Sequence, residues 1–238
     1  KFSLIFINKI LTFIMNKIIN ISSFIFTLLA NIIIGVRTDE STELDISPNN
    51  TTFSIWTLIY SSLLISLLIT KNWSNYQTSL FSISCLSNIL WLYFWSKKNI
   101  EIANIFLFIL PSSLLLLWHN LLKKNENFVL NSIGLYAGWT IGAFLLNTFI
   151  SLNKNKLLKK KNINNIAIAL FSFSQIAWQI FGVLSNKNNF YKNSVTIPIV
   201  GIWTALGIYR NNKIKNLSSI YLVTSLLSLI NHISQISI

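Results

Sequence analysis

Side chains able to do acid–base, nucleophilic or metal chemistry are few and scattered. The six acids, two histidines and one cysteine make no Ser/His/Asp set, no catalytic acid pair and no metal cluster. Cys85 stands alone, so neither an internal disulfide nor a cysteine metal site can form. His119 follows Trp118 at the end of an apolar segment, a usual interfacial place for a polar ring, and His232 is far from it in sequence. The inventory predicts a protein that is not an enzyme and carries no metal and no cofactor. What remains is aromatic and amide chemistry. There are eight tryptophans, and Trp139, Trp178 and Trp203 lie deep within apolar segments. A tryptophan at that depth buries a large flat face and leaves one N–H needing a partner. Such rings either fill a core or wall a pocket for a flat apolar ligand, and spacing alone favours packing. Asn88, Asn104, Asn147, Gln175 and Gln179 also lie inside apolar segments. They read as interhelical hydrogen bonds worth about 0.6 kcal/mol each. The chain is rich in Ile, Asn, Lys and Phe, so most asparagines are expected to reflect composition rather than chemistry.

The elements that position these groups follow from hydrophobicity. Charged residues make up 11% of the 238 residues, against roughly 25% in soluble domains. The mean hydropathy is +0.58. These values place the chain among all-α polytopic membrane proteins. Expected spans run over 18–36, 53–70, 79–95, 100–118, 128–152, 163–184, 191–209 and 217–238. The short connections between them predict an up-down bundle. Residues 2–14 are apolar but short and broken by Lys9, so 1–17 reads as an N-terminal extension, interfacial piece or leader. Pro111 falls inside the fourth span, where a kink is expected. The net charge of +13 sits in loops and forms no basic face with interleaved aromatics, so no nucleic-acid partner is expected. Lys and Arg divide eight to eleven between the two sides, so charge does not set the orientation. The belt of aromatics at span ends accounts for Trp73, Trp95 and Trp118. Four of the six acids lie in 37–50, a solvated loop or a lid over a cavity mouth. Gly134, Gly138 and Gly142 form a small-residue stripe that reads as a close helix-packing face. The lysine-rich stretch 153–162 divides 18–152 from three further spans in 163–238.

Three motifs then fall in order. Phe53-Ser54-Ile55-Trp56-Thr57-Leu58-Ile59-Tyr60 opens the second span. Asn88-Ile89-Leu90-Trp91, followed by Tyr93-Phe94-Trp95, ends the third. Tyr136, Trp139, Ala143 and Asn147 mark the fifth. Together they resemble the TspO/MBR family, the tryptophan-rich sensory proteins that include the mitochondrial translocator protein. The last three spans are similar to a longer subgroup with extra C-terminal helices. The resemblance covers 18–152 and implies a TspO-like five-helix bundle plus about three further transmembrane helices. It also implies an intramembrane pocket beside the first loop that takes a porphyrin, a sterol or another apolar ligand. Its binding residues would be Trp56, Tyr60, Asn88, Trp91, Trp95, Trp139, Ala143 and Asn147. Two departures stand out. The family's Pro- and Gly-rich first loop is reduced to Pro48, and the aromatic at the start of the fourth helix that often joins the pocket is absent, because 100–106 has no Trp. The partners expected are the bilayer and an apolar small molecule, with room for a homodimer. A sensor, regulator or carrier is the leading reading. An unrelated small-solute transporter and a structural membrane subunit remain open.

Overall fold

The computed structural model describes residues 2–35, 44–70, 73–122, 127–184, 195–211 and 213–236. Among these, eight α-helices follow in order: α1 (Phe2–Ile34), α2 (Ile55–Ile69), α3 (Asn75–Ser96), α4 (Ile100–Leu121), α5 (Asn127–Lys154), α6 (Lys160–Leu184), α7 (Thr196–Arg210) and α8 (Lys215–Ile236). A short 3-10 turn, Asn50–Ser54, leads into α2. The described residues contain no strand. Six helices are long and apolar enough to cross a membrane: α1 to α5 and α8. Helix α7 has 15 residues, about 22 Å of rise against a hydrocarbon core of about 30 Å. The expected seventh span began at Tyr191, which lies outside the described residues. Helix α1 is continuous through Lys9, and its membrane-length apolar stretch covers Ile7–Ile34.

Local signals fix the ends. Ser74 caps α3 with a reciprocal box: its Oγ accepts from Gln77 N at 3.2 Å, and Gln77 Oε1 accepts from Ser74 N at 2.9 Å. Helix α3 stops where Lys98 takes a left-handed conformation (φ 59°). Lys98 N donates to Trp95 O and Asn99 N to Phe94 O, which satisfies two of the carbonyls at the helix end. Asn99 Oδ1 then accepts from Ile102 N at 3.3 Å and starts α4. Helix α4 runs unbroken across the buried Pro111.

The contacts close α1–α5 into a ring. Helix α1 packs on α2 and α3, α3 on α4, α4 on α5, and α5 on α2. The ring order is therefore α1, α2, α5, α4, α3. Consecutive helices are not always neighbours, as a simple up-down bundle would have it: α1 stands between α2 and α3. Helices α6, α7 and α8 pack on one another, and α6 and α7 also pack on α5. Helix α5 is thus the wall shared by the ring and the three-helix module.

Two seams hold these helices together, and they work differently. Along α1–α3 the seam is polar. Asn16 Nδ2 donates to Asn75 Oδ1 at 2.9 Å and to Trp73 O at 2.9 Å. Asn20 pairs with Thr78, Ser23 with Ser82, Thr27 with the Cys85 carbonyl and Asn31 with Asn88. Their spacing of three or four residues keeps all five on one face of α1. At about 0.6 kcal/mol each the rungs together rival one well-packed side chain, but they also fix the register. These asparagines are structural, contrary to the compositional reading. Along α5–α7 the seam is tight because the side chains are small. A Cβ on Gly134 would stand 2.6 Å from Thr196 Oγ1, and one on Gly138 would meet Val200 at 3.4 Å. Gly134 and Gly138 do form a close packing face, and its partner is α7, whereas Gly142 meets only Phe171 of α6, at 4.0 Å.

Candidate functional site

Trp56 lies one residue into α2, and four rings surround it. It stacks on Tyr60 (centroids 5.2 Å apart, 17° between planes) and on Trp91 (6.5 Å, 27°). It meets Tyr136 and Trp139 edge-on at 6.0 and 6.2 Å. Phe53, in the 3-10 turn, meets Trp139 edge-on at 5.7 Å. Edge-on and offset geometries satisfy the ring quadrupoles, each pair adding about 0.5–1.5 kcal/mol beyond burial. The rings do not collapse onto one another. They border a void of about 650 Å³, its mouth included, walled by Phe53, Trp56, Trp91, Trp95, Trp139 and Ala143.

Polar groups in this wall are few. Asn147 Nδ2 donates to Asn104 Oδ1 at 3.0 Å, which ties α5 to α4. Its Oδ1 is buried without a partner, as are the Nε1 atoms of Trp91 and Trp139. In a bilayer interior, where no water competes, each such group costs free energy until something occupies it. Leu107 of α4 stands in the wall where the family resemblance led one to look for an aromatic.

The first loop contributes directly. Residues 37–43, with Asp39, Glu40 and Glu43, lie outside the described residues. Leu44 and Ile46 are fully buried, and Ile46 and Pro48 line the void. This part of the loop is not a solvated connection but a buried strap that forms part of the wall. The three-helix module ties it down. Asp45 Oδ1 sits 3.1 Å from Lys160 Nζ, and its Oδ2 accepts from Asn164 Nδ2 at 3.1 Å. Asn211 Nδ2 donates to Ser47 O at 2.8 Å. Asn49 N donates to Gly207 O at 3.1 Å, and Trp203 Nε1 donates to Thr52 O at 2.8 Å. Partial burial raises the Asp45 carboxyl, but the Lys160 ammonium and the Asn164 amide outweigh it and hold Asp45 below the ordinary range.

A depressed carboxyl contributes stability above its unfolded value of about 3.9 and loses it as pH falls through the lower folded value. Lys160 is half exposed, so the pair is worth under about 1 kcal/mol. Asp45→Asn should therefore lower stability slightly at pH 7, and the difference from wild type should shrink as pH falls below the unfolded value of about 3.9 and through the lower folded one. Denaturation midpoints of both proteins at pH 7 and as pH is lowered check this. An undiminished difference at the lower pH would assign the effect to packing.

Comparison with known families matches the family described as TSPO-like protein over residues 5–236. The chain belongs to the TSPO-like family. No curated protein and no solved structure matches it. It is an integral, multi-pass membrane protein of all-α fold, and the family match spans the three-helix module as well as the ring.

Within this TSPO-like fold, six of the eight residues expected at the site line one void: Trp56, Trp91, Trp95, Trp139, Ala143 and Asn147. Tyr60 and Asn88 do not. Tyr60 backs Trp56 from below, and Asn88 Oδ1 accepts from Asn31 Nδ2 at 2.8 Å in the α1–α3 seam. Trp73, Trp95 and Trp118 are buried within the protein rather than ringing it at the interface. The sequence reading missed Ile46 and Pro48 in the strap and Phe171, Thr204 and Ile208 in the module, all of which line the void. No local motif marks them. Their only sequence signal was the Phe-Ser-Ile-Trp start beside a loop too short in Pro and Gly to close a pocket unaided.

Proposed function

We propose that this TSPO-like protein binds an apolar, ring-containing ligand between α2, α3 and α5, and acts as a sensor, regulator or carrier of that ligand. The observation that supports this most is the arrangement of Trp56, Trp91, Trp95 and Trp139 around one unfilled space. Flat ligands of the sterol or tetrapyrrole kind match a wall of indole faces. The reading is of a non-catalytic binding protein: among the described residues the lining offers aromatic faces, aliphatic side chains, the Asn147 amide and the Thr204 hydroxyl, with no charged group.

Indole fluorescence tests the proposal. With four tryptophans at the wall, protoporphyrin or a fluorescent sterol should quench emission saturably in protein reconstituted into lipid nanodiscs. Quenching that rises linearly with added ligand, as it does for free tryptophan in the same lipid, would remove the binding reading.

A further inference from the structure

A second cavity lies behind the first. It has about 420 Å³ of empty space and is bounded by α5, α6, α7 and α8, with Ile141, Gln175, Ile197, Val200 and Tyr221 among its lining residues. Gly142, Phe171 and Thr204 line both cavities, so only these residues divide them. The two spaces differ in chemistry. The first is walled by indoles and aliphatic groups, whereas the second holds a cluster of neutral polar groups. Gln175 and Thr204 stand within hydrogen-bonding reach of the Tyr221 hydroxyl. The Gln175 amide nitrogen rests against Gly201, where a Cβ would come within 2.6 Å of it. That contact holds the amide in place from one side.

The Gln175 carbonyl oxygen is the group left over. Gln175 is 4% exposed, and its Oε1 is buried with no partner. Gln179, one turn along α6, shows the contrast. Its Nε2 donates to Ser228 Oγ at 2.7 Å, and its Oε1 accepts from Asn231 Nδ2 at 2.8 Å. A free amide oxygen beside a cavity at membrane depth calls for a hydrogen-bond donor from the occupant. Among the described residues, neither set of lining residues contains Lys, Arg, His, Asp or Glu. These residues offer a charged occupant no counter-charge.

We infer that the two cavities form one bipartite site: the indole pocket takes the flat apolar body of a neutral ligand, and the ligand's single hydroxyl or N–H passes the Phe171–Thr204 divide to donate to Gln175 Oε1. This rests on the binding reading above and deepens it. It narrows the ligand class to uncharged molecules with a rigid ring body and one donor, and it gives the three C-terminal helices a share in recognition.

Three probes with the same ring body separate the alternatives: 1-methylpyrene, 1-pyrenemethanol and 1-pyrenecarboxylate. Each is titrated into the full chain in nanodiscs, with quenching of tryptophan emission as the readout. The alcohol should bind about tenfold more tightly than the methyl compound, the ratio expected for one well-made hydrogen bond to an otherwise unpaired group. The carboxylate should bind most weakly. In Gln175→Leu the alcohol should lose its advantage, leaving a ratio within about twofold. Equal binding of alcohol and methyl compound by the wild type overturns the bipartite site while leaving the indole pocket standing. So does a carboxylate that binds as tightly as the alcohol. A preference that survives Gln175→Leu would place the donor on Asn147 Oδ1 and also overturn it. If none of the three saturates, the pocket reading falls, and this inference with it. Should Gln175→Leu not fold, Gln175→Met keeps the length of the side chain without its oxygen, and the wild-type ratio remains decisive on its own.

Discussion

Trp56→Ala should weaken binding of a flat aromatic probe by at least about tenfold while leaving the helix content of the protein unchanged. The expectation follows from where the ring sits. Trp56 is partly exposed to the void rather than sunk in the core, and it touches Tyr60, Trp91, Tyr136 and Trp139 at once. Its removal deletes one wall of the pocket and frees the other rings to tilt into the space. The stability cost should be smaller than the 3–5 kcal/mol usual for Trp→Ala in a soluble core. In a bilayer the unfolded helices remain in lipid, so the transfer part of that figure is largely absent. What remains is the ring-pair energy, about 0.5–1.5 kcal/mol for each lost contact. Trp56→Phe keeps a stacking face and should recover most of the affinity. Titrations by tryptophan quenching, with circular dichroism on the same samples, separate the outcomes. Loss of helix content in step with loss of binding would make Trp56 a packing residue and nothing more.

The second large effect concerns Gly207. Gly207→Ala should lower thermal stability by about 2–3 kcal/mol and speed the entry and exit of ligand. Within a helix, alanine is favoured over glycine by up to about 1 kcal/mol, so propensity alone predicts the opposite sign. The close approach of the strap reverses it. A Cβ at 207 would fall on the Thr52 side chain, meeting Oγ1, Cγ2 and Cβ together. Thr52 has little room to yield. It is 3% exposed, its carbonyl is held by Trp203 Nε1, and its hydroxyl donates to Asn49 Oδ1. The added methyl must therefore lift the strap, breaking the Asn49 N to Gly207 O bond with it. Because Ile46 and Pro48 line the void, a lifted strap should also open the pocket. Stopped-flow quenching measures the exchange rates, and thermal denaturation in the same nanodiscs measures the stability. A more stable Gly207→Ala protein with unchanged exchange would show that the strap does not gate the pocket.

What could be read in the chain and what could not divides along a physical line. The membrane class, the helical fold and six of the spans rest on length, apolar content and the scarcity of charge, which are properties of each segment by itself. Trp56, Trp91, Trp139 and Asn147 could be singled out because their spacing within single helices matches a family pattern. The glycine stripe announced a close contact for the same reason, though not the helix it would meet. Everything that depended on which helix lies beside which was hidden. Asn16, Asn20 and Asn31 looked like the drift of an asparagine-rich chain until α3 supplied Asn75, Thr78 and Asn88 opposite them. The loop holding Leu44 and Ile46 read as a connection because its flanking acids are polar. Only the neighbouring Lys160, Asn164 and Asn211 turn it into a strap. Phe171, Thr204 and Gln175 carry no motif and reach the site only because α6 and α7 pack on α5. A side chain's period along its own helix is written in the sequence, but its partner on another helix is chosen by the packing of the whole bundle. That is why Trp56 and a pocket beside it could be expected from the chain alone, and why the strap and the module's share of that wall, together with the chamber behind it, appeared only in three dimensions.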